Sequence, residues 1–296
     1  MKGIILAGGS GSRLYPMTSA INKHLLPIYN KPMVYYPLCT LMLADIRDIL
    51  IISTPEDIEN FRTLLGDGGR FGLRLRYAVQ PSPDGLAQAF IIGSDFIGSD
   101  DVAMILGDNI FIGLHIKERL IQAIQNVNRG KATIFGFRVS DPQRFGVIEY
   151  DNKGRVISID EKPKNPKSNY AAAGLYFYDN RVVNFAKNVK PSWRNELEIT
   201  DVNNLYLSEG SLEAIKLDSG FTWMDAGTPD AMIEAGKYVQ TLEKFQNVKV
   251  GYPEEIAIIN GWIDRADLGE FLSRYSKTEY GKHIASVLEA EEEKKG

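Results

Sequence analysis

The sequence of 296 residues is poor in the side chains that form disulfides and soft-metal sites, with one cysteine and three histidines. Cys39 has no partner for an intrachain disulfide, and its apolar setting in YYPLCTLML predicts a buried, unreactive thiol. The histidines lie far apart and have no ligand-like spacing to the cysteine. This pattern argues against a structural zinc site.

Excess basic charge and long apolar runs are also missing. Lysine and arginine number 34 against 38 aspartates and glutamates, and the net charge of -4 argues against a nucleic-acid partner. No apolar run approaches bilayer length, and the opening MKGIIL does not resemble a signal peptide. We therefore expect no membrane partner and a cytoplasmic location. Small anionic ligands stay compatible with this charge, because a local basic patch is enough to bind them.

The first third of the chain alternates between apolar strands and helices. The predicted strands are KGIIL, DILIIST, LRLRYAVQ and DVAMILGDN, and the predicted helices are PMVYYPLCTLMLADI, TPEDIENFRTLLGDGG and GLAQAFIIGSDFI. Thr54 is the expected N-cap of the second helix, with Pro55 at its first position. Because these strands are mostly apolar along their length, we predict a mainly parallel sheet that helices cover on both faces.

The middle third contains closely spaced strands, and the last part of the chain is predicted to be helical. KATIFGFRVS, GVIEYD, RVISIDEKP and YAAAGLYFYD predict antiparallel or mixed pairing, with helices in DNRVVNFAKNV and ITDVNNLYLSEG. Thr228 and Pro229 open a long helix. Its apolar face comprises Met232, Ala235, Val239 and Leu242. We expect the closing EAEEEKKG to be frayed. The predicted fold class is α/β, a Rossmann-like three-layer sandwich with a mainly parallel, mixed central sheet, an added β segment and a helical C-terminal extension.

The most distinctive stretch is LAGGSGSRLYP, residues 6–16. Leu14 occupies the third glycine position of a dinucleotide fingerprint, and the lysine of a Walker A loop is missing, so neither motif is present. A plain strand-to-helix turn would also use glycines. Arg13, however, adds a planar, charged guanidinium to a loop of backbone N–H groups, and this combination suits phosphate oxygens. Lys23 follows ten residues later in NKHLLP.

Together these positions form the pattern G-G-x-G-[ST]-R-L-x-P…K-x-L-x-P, so the chain resembles the sugar-1-phosphate nucleotidylyltransferases. Later segments resemble the glucose-1-phosphate thymidylyltransferases of that family to about residue 230, among them YAVQPSPDGLAQAF, LGDNIF, RFGVIEYD, DEKPKNPKSNYA, ELEITDVN and FTWMDAGT. The resemblance implies Mg²⁺-dependent transfer of a thymidylyl group from dTTP to glucose 1-phosphate, giving dTDP-glucose and pyrophosphate. This reaction is the first step of dTDP-rhamnose-type deoxysugar synthesis.

The resemblance also implies an organisation of the chain and its assembly. Residues 1–227 form the expected catalytic core, with a nucleotide half (about 1–112) and a sugar half (about 113–227). Residues 228–296 form the helical extension, which is expected to pack on the core and to take part in subunit contacts. A homotetramer is implied, together with inhibition by dTDP-rhamnose at a separate site that involves the tail.

The reaction itself indicates which side chains to look for. The attacking phosphate oxygen is already ionised, so the site needs cations and a metal to hold two polyanions together, and no general base. Asp108 follows a buried strand, where open α/β sheets bind ligands, and Asp225 in WMDAG has a comparably apolar, glycine-flanked setting. Carboxylates suit Mg²⁺, and the resemblance makes both residues metal ligands. For Asp108 alone, a turn or helix cap is the alternative.

The resemblance assigns the remaining site residues. The catalytic cations are Arg13, Lys23 and Lys162. The nucleotide contacts are Leu6, Gly8, Gly9, Gly11, Gln80, Gly85 and Asp108. The sugar contacts are Gly146, Glu161, Lys162, Arg194 and Trp223. The carboxamide of Gln80 can donate and accept at once, which matches a pyrimidine edge, and Gly85 permits close backbone approach. Without the resemblance, these positions would also suit turns, solvated strand ends or core packing.

Four positions depart from the family pattern. His24 replaces an expected glutamine, Ala172 and Ala173 replace Val-Thr, and Asn195 replaces a glycine. Because the alanines are expected near the sugar pocket, the sugar is less determined than the reaction. Use of UTP or of another hexose 1-phosphate is therefore an alternative, as is a non-catalytic nucleotide-sensing homologue. The last alternative predicts loss of Arg13 or of a metal carboxylate, and the sequence retains them.

Overall fold

The computed structural model describes residues 1–9 and 11–294. The strands are β1 (Lys2–Ala7), β2 (Pro27–Ile28), β3 (Lys31–Pro32), β4 (Asp48–Ser53), β5 (Arg74–Val79), β6 (Val102–Leu106), β7 (Asn109–Gly113), β8 (Ala132–Arg138), β9 (Gly146–Tyr150), β10 (Val156–Glu161), β11 (Tyr170–Tyr178), β12 (Leu212–Leu217) and β13 (Phe221–Asp225). The helices are α1 (Tyr35–Leu43), α2 (Ile58–Leu65), α3 (Gln88–Ile92), α4 (Ser94–Ile97), α5 (Ile116–Val127), α6 (Val182–Asn188), α7 (Ile199–Ser208), α8 (Pro229–Phe245), α9 (Pro253–Ile259), α10 (Gly269–Tyr275) and α11 (Glu279–Glu293).

The central sheet has the strand order β5–β4–β1–β6–β11–β8–β12, and β9 and β10 extend it beside the first half of β11. Strands β5, β4, β1 and β6 are parallel to one another, and β8 and β12 are parallel to each other. Strand β11 is antiparallel to its three partners β6, β8 and β9. The predicted α/β class with a mixed sheet is therefore confirmed. Four parallel strands place their carboxyl ends on one edge, where ligands bind in such sheets.

The structure corrects the predicted start of α2. This helix begins at Ile58, and Thr54 does not cap it. Instead, the hydroxyl of Thr54 donates to Asp57 Oδ2 at 3.0 Å, and Asn22 Nδ2 donates to the same oxygen at 2.9 Å. The Thr54–Asp57 turn therefore joins the start of α2 to the loop after β1, a tertiary contact that overrides the local capping pattern.

Two other helices differ in extent from the prediction. The helix predicted over GLAQAFIIGSDFI is divided at Gly93 into α3 and α4, consistent with the low helix propensity of glycine. The closing segment, predicted to be frayed, is helical as far as Glu293, and Arg265 forms an ion pair with Glu292 at 2.7 Å. Residues 295 and 296, also part of that predicted segment, lie outside the described residues.

A two-stranded antiparallel sheet that the sequence analysis did not assign supports the carboxyl edge. In it β13 pairs with β7, and the register places Asp225 opposite Asn109. No local turn signal joins these strands, because they are distant in sequence. Their pairing brings two sequence segments to one place beside the end of β6.

The tail helices and the sheet share one hydrophobic cluster. This cluster contains residues of the sheet and of the tail helices α9 and α11, among them Ile5, Ile51, Ile258 and Ile284. Cys39 of α1 is buried, as predicted, and burial raises the pKa of its thiol. The predicted Thr228 cap is confirmed, because its side chain accepts from Ala231 N. None of the helices in the described part of the chain is both long and apolar enough to cross a bilayer.

A buried ion pair connects the first part of the chain to the tail. Lys31 Nζ of β3 lies 2.7 Å from Glu243 Oε1 of α8, and the two side chains are 1% and 5% exposed. The ammonium also lies 4.0 Å from the ring centroid of Tyr252, whose hydroxyl donates to Glu243 Oε2 at 3.1 Å. Lys249 Nζ lies 3.8 Å from Glu243 Oε2 and is a longer second contact. Removing Lys31 therefore leaves the buried charge of Glu243 with only partial compensation.

We therefore expect Lys31→Met to lower the free energy of unfolding by about 3 kcal/mol, the lower end for a broken buried pair, measured by urea denaturation. Lys237→Met, at an exposed position of α8, serves as the control and should change stability little. The double variant Lys31→Met with Glu243→Met should recover much of the loss, because it removes both charges. Equal effects at Lys31 and Lys237 would contradict this account.

Candidate active site

A cleft of about 540 Å³ opens beyond the carboxyl ends of β1, β5 and β6. The residues predicted from the sequence that line it are Leu6, Gly8, Gly9, Arg13, Lys23, Gln80, Gly85, Asp108, Gly146, Glu161, Lys162, Arg194, Trp223 and Asp225. Gly11 is the exception, because it lines an adjoining cavity of about 360 Å³ that shares Gly9 and Lys23 with the cleft. Residues predicted from distant segments thus meet in one place.

The glycine-rich loop needs its glycines for backbone conformation and for space. Gly9 and Gly11 have φ angles of 91° and 59°, in the left-handed region that favours glycine. A Cβ atom on Gly8 would lie 2.3 Å from Gln80 Oε1. Gly11 leads directly into the short 3₁₀ helix Ser12–Leu14, which carries Arg13 at the rim of the cleft.

The two acidic residues lie together because β13 pairs with β7. Asp108 directly precedes Asn109, which lies opposite Asp225 in the ladder. A backbone hydrogen bond adds to this pairing, because Ala226 N donates to Asp108 O at 2.9 Å. Lys23 Nζ donates to Asp108 Oδ2 at 2.5 Å, and Asn109 Nδ2 donates to Asp108 Oδ1 at 2.9 Å. Asp225 Oδ1 accepts from Gly227 N at 3.0 Å. Both carboxylates are therefore fixed at the floor of the cleft.

Charge and burial act differently on these two carboxyl groups. Burial alone would raise the pKa of Asp108, but Lys23 and the hydrogen bonds it receives hold that pKa well below its usual range. Burial, together with the nearby charge of Asp108, raises the pKa of Asp225, although Arg13 and Lys23 oppose this. Two close carboxylates that repel each other suit a divalent cation, whose remaining ligands are commonly phosphate oxygens and water. The donor set therefore fits Mg²⁺.

Strands β9 and β10 bring Gly146 and Glu161, two of the predicted sugar contacts, to the lining of the cleft. Gly146 pairs with Glu161, and Glu161 Oε2 accepts from the hydroxyl of Thr200 at 2.6 Å. Lys162 has a φ of 44°, and its Nζ lies 3.7 Å from Glu161 Oε1. Trp223 Nε1 donates to Asn109 Oδ1 at 2.6 Å. Its indole ring forms an apolar wall of the cleft.

Arg194 lines the cleft, but its guanidinium is held by carboxylates. Its Nη2 lies 2.8 Å from Glu198 Oε2, 3.0 Å from Glu196 Oε2 and 3.5 Å from Glu161 Oε1. The sequence analysis did not assign Glu196, Glu198 or Thr200 to the site, although all three stand in the segment ELEITDVN. The density of acidic residues in that segment was the available signal.

The structure places each of the positions that depart from the family pattern. His24 lines the cleft as a buried side chain, and burial followed by the charge of Lys23 lowers its pKa to about 3, so the ring is neutral. Asn195 has a φ of 60°, a conformation that glycine and asparagine tolerate best. Of the two alanines expected near the sugar pocket, Ala172 lines the cleft. For Ala173 the expectation is wrong, because successive residues of β11 point to opposite faces and Ala173 belongs to the buried cluster on the other face of the sheet.

Two segments that line the cleft are connected by backbone hydrogen bonds. Leu197 N donates to Asp84 O at 2.6 Å, and Ala87 N donates to Leu197 O at 3.1 Å. Gly85, with a φ of 110°, sits so close that a Cβ atom would lie 2.3 Å from Leu197 O. The loop after β5 and the segment that carries Arg194 therefore form adjoining walls of the cleft.

Known proteins share this sequence and fold. The sequence model of the nucleotidyl transferase family matches residues 2–241. A glucose-1-phosphate thymidylyltransferase from Neisseria gonorrhoeae is 55% identical over 288 residues, covering 97% of this chain and 99% of the relative. The enzyme of the same name from Mycolicibacterium smegmatis is 50% identical over 291 residues, covering 98% and 100%.

Solved structures agree with these sequence relationships. A Bacillus anthracis crystal structure in complex with sucrose, described as a glucose-1-phosphate thymidylyltransferase, superposes with a TM-score of 0.74 at 44% identity, covering 80% of this chain and 94% of that one. UDP-glucose pyrophosphorylase bound to UDP-glucose shares the fold, with a TM-score of 0.70 at 23% identity and coverage of 81% and 98%. The chain therefore belongs to the nucleotidyl transferase family and, within it, to the glucose-1-phosphate thymidylyltransferases.

Proposed function

We propose that this chain transfers a thymidylyl group from dTTP to glucose 1-phosphate, releasing pyrophosphate and dTDP-glucose. The observation that carries the proposal is the meeting of a glycine-rich loop, Arg13, Lys23, Lys162 and a pair of buried carboxylates in one cleft. Cations and carboxylates in this combination can hold a nucleoside triphosphate against a sugar phosphate. The relatives at 50–55% identity support the choice of dTTP and glucose 1-phosphate.

Enzymes of this class use a divalent metal, and we assign Mg²⁺ to Asp108 and Asp225. When bound, the ion would supply positive charge to the triphosphate oxygens. The chain's own groups do the rest of the binding. Arg13 and the loop amides would hold the phosphates, and Lys162 would orient the sugar phosphate for in-line attack on the α-phosphorus. Gln80 and Gly85 would bind the base.

Glu161, Arg194, Gly146 and Trp223 form the proposed sugar end of the cleft. One carboxylate oxygen of Glu161 accepts a hydrogen bond from the hydroxyl of Thr200. This contact holds the carboxylate in position to accept hydrogen bonds from sugar hydroxyls. The homotetramer, the dTDP-rhamnose inhibition and the division at residues 227 and 228 stay predictions of the family resemblance. The shared hydrophobic cluster supports a tail that packs on the core.

A grid of nucleoside triphosphates and sugar 1-phosphates tests the proposal through pyrophosphate release. We expect the highest kcat/KM for dTTP with glucose 1-phosphate. A strong preference for UTP would reject the thymidylyl assignment, and a preference for another hexose 1-phosphate would reject the glucose assignment. Pyrophosphate release from no pair would favour the non-catalytic homologue.

A further inference from the structure

We infer that Gln88 and Asp84 are positioning residues that fix the orientation of the Gln80 carboxamide, and that this orientation makes the site select thymine over cytosine. The inference rests on the proposed use of dTTP and deepens it, because it names two residues that do not line the cleft themselves. It follows from a chain of hydrogen bonds behind the cleft wall, at the junction of β5 and α3.

The carboxylate of Asp84 determines which groups donate and which accept along this series of hydrogen bonds. Asp84 carries a carboxylate, which accepts hydrogen bonds and donates none. Gln88 Nε2 donates to Asp84 Oδ2 at 3.0 Å, so Gln88 must turn its Oε1 the other way. Gln80 Nε2 donates to that Oε1 at 2.7 Å. These hydrogen bonds therefore determine, for Gln80 and Gln88, on which side the amide nitrogen lies and on which side the oxygen lies.

Two further contacts stabilise the same arrangement. The hydroxyl of Ser82 donates to Asp84 Oδ2, which keeps this carboxylate oxygen beside Gln88. Gln80 Nε2 also lies 3.4 Å from Gly85 O. Both contacts favour the orientation in which the amide nitrogen of Gln80 points away from the cleft. A reversed amide would place two acceptors, Gln80 Oε1 and Gln88 Oε1, against each other, which would leave both unpaired.

Gln80 and Gly85 both line the cleft, and one acceptor of the first and one donor of the second remain available there. Gln80 Oε1 faces Gly8, and within residues 1–9 and 11–294 no protein donor bonds to it. The amide N–H of Gly85, in the same wall, is likewise without an acceptor in the described part of the chain. The cleft wall therefore offers an acceptor and a donor that the described residues leave unused.

This pair complements one pyrimidine edge and mismatches the other. Thymine and uracil present an N3–H donor beside the O4 acceptor, whereas cytosine presents an N3 acceptor beside an N4–H₂ donor. An acceptor at Gln80 and a donor at Gly85 therefore fit thymine and leave cytosine with two opposed contacts. Unpaired polar groups in a closed site reject a ligand strongly.

The test measures discrimination between bases in variants of Gln88. In Gln88→Lys, the ammonium can only donate, so Gln80 must turn its Oε1 inward and its Nε2 toward the cleft. We expect the ratio of kcat/KM for dTTP to that for dCTP to fall about 10- to 100-fold. Gln88→Leu, which imposes no orientation, should lower the ratio by a smaller factor. Circular dichroism and thermal melting report whether each variant folds.

A double variant should restore the original direction of these hydrogen bonds. In Asp84→Asn with Gln88→Glu, the new asparagine amide can donate to the new carboxylate, and that carboxylate can accept from Gln80 Nε2. The net charge is unchanged. We expect this double variant to regain most of the wild-type ratio of dTTP to dCTP.

The ratio of dTTP to UTP is the internal control. Thymine and uracil share the N3–H and O4 edge, so an orientation effect should leave this ratio unchanged, whereas general damage to the base pocket should move both ratios. An unaltered ratio of dTTP to dCTP in folded Gln88→Lys would overturn the inference. A parallel change of both ratios, or failure of the double variant to restore discrimination, would also overturn it.

Calorimetric binding of dTTP and dCTP, measured without sugar phosphate, separates this inference from the proposed function. If wild-type protein binds dTTP more tightly than dCTP and Gln88→Lys abolishes that preference, the inference is supported even if no sugar phosphate reacts. If wild-type protein binds the two nucleotides equally, the inference fails, whatever the turnover.

Discussion

Replacing Arg13 with alanine should lower kcat/KM for dTTP by about 10³-fold, measured as pyrophosphate release with glucose 1-phosphate. The guanidinium stands at the rim of the cleft, and its Nη2 lies 2.7 Å from the place that a Cβ on Gly227 would occupy, beside Asp225. It therefore faces the position proposed for the triphosphate. A charged, planar donor group there would stabilise the charge that develops as pyrophosphate leaves.

The same substitution should leave the melting temperature almost unchanged. Within residues 1–9 and 11–294, the Arg13 guanidinium forms neither a side-chain hydrogen bond nor an ion pair, so little folding energy depends on it. Arg13→Lys, which keeps the charge but not the planar fork, should show an intermediate loss. Arg129→Ala, at an exposed position after α5, is the matched control. Undiminished turnover in Arg13→Ala would remove Arg13 from the proposed mechanism.

Asp225→Asn should raise the Mg²⁺ concentration needed for half-maximal activity by about 10- to 100-fold. Asparagine retains an oxygen that can accept from Gly227 N, so the local backbone contact survives while the negative charge is lost. The remaining carboxylate, Asp108, is bonded to Lys23 and would hold the cation less tightly on its own.

Binding of Mn²⁺ followed by electron paramagnetic resonance provides a readout that does not depend on turnover. We expect its affinity to fall together with the apparent affinity for Mg²⁺. Asp218→Asn changes an exposed aspartate just before β13 and should leave both titrations unchanged. Identical metal titrations for wild type and Asp225→Asn would count against the ligand role of Asp225.

Local patterns predicted the elements whose defining contacts are close in sequence. Thr228 caps α8 as expected, because the hydroxyl acts on Ala231 three residues away. The apolar runs that became β1, β4 and β6 also needed no distant information. Thr54 satisfied the same capping rule and yet the prediction was wrong, because Asp57 accepts hydrogen bonds from both Thr54 and Asn22.

The residues that line the cleft were predicted more fully than the way in which they are arranged. The motif residues meet in one cleft, apart from Gly11 in the neighbouring cavity. The pairing of β7 with β13 could not be predicted, because ladder hydrogen bonds leave no residue-specific signal in a single sequence. The glutamates around Arg194 were missed although the segment is visibly acidic, because their contact depends on how residues 192–198 turn through Asn195.

The backbone bonds from Leu197 to Asp84 and Ala87 have a consequence for engineering this chain. The base-side loop and the sugar-side segment share a wall, and the left-handed Gly85 fits between them only while Leu197 keeps its place. Residues 81–87 and 192–198 should therefore be exchanged together when segments of this chain are replaced. A chimera designed to alter nucleotide or sugar preference should inherit both stretches from the same parent.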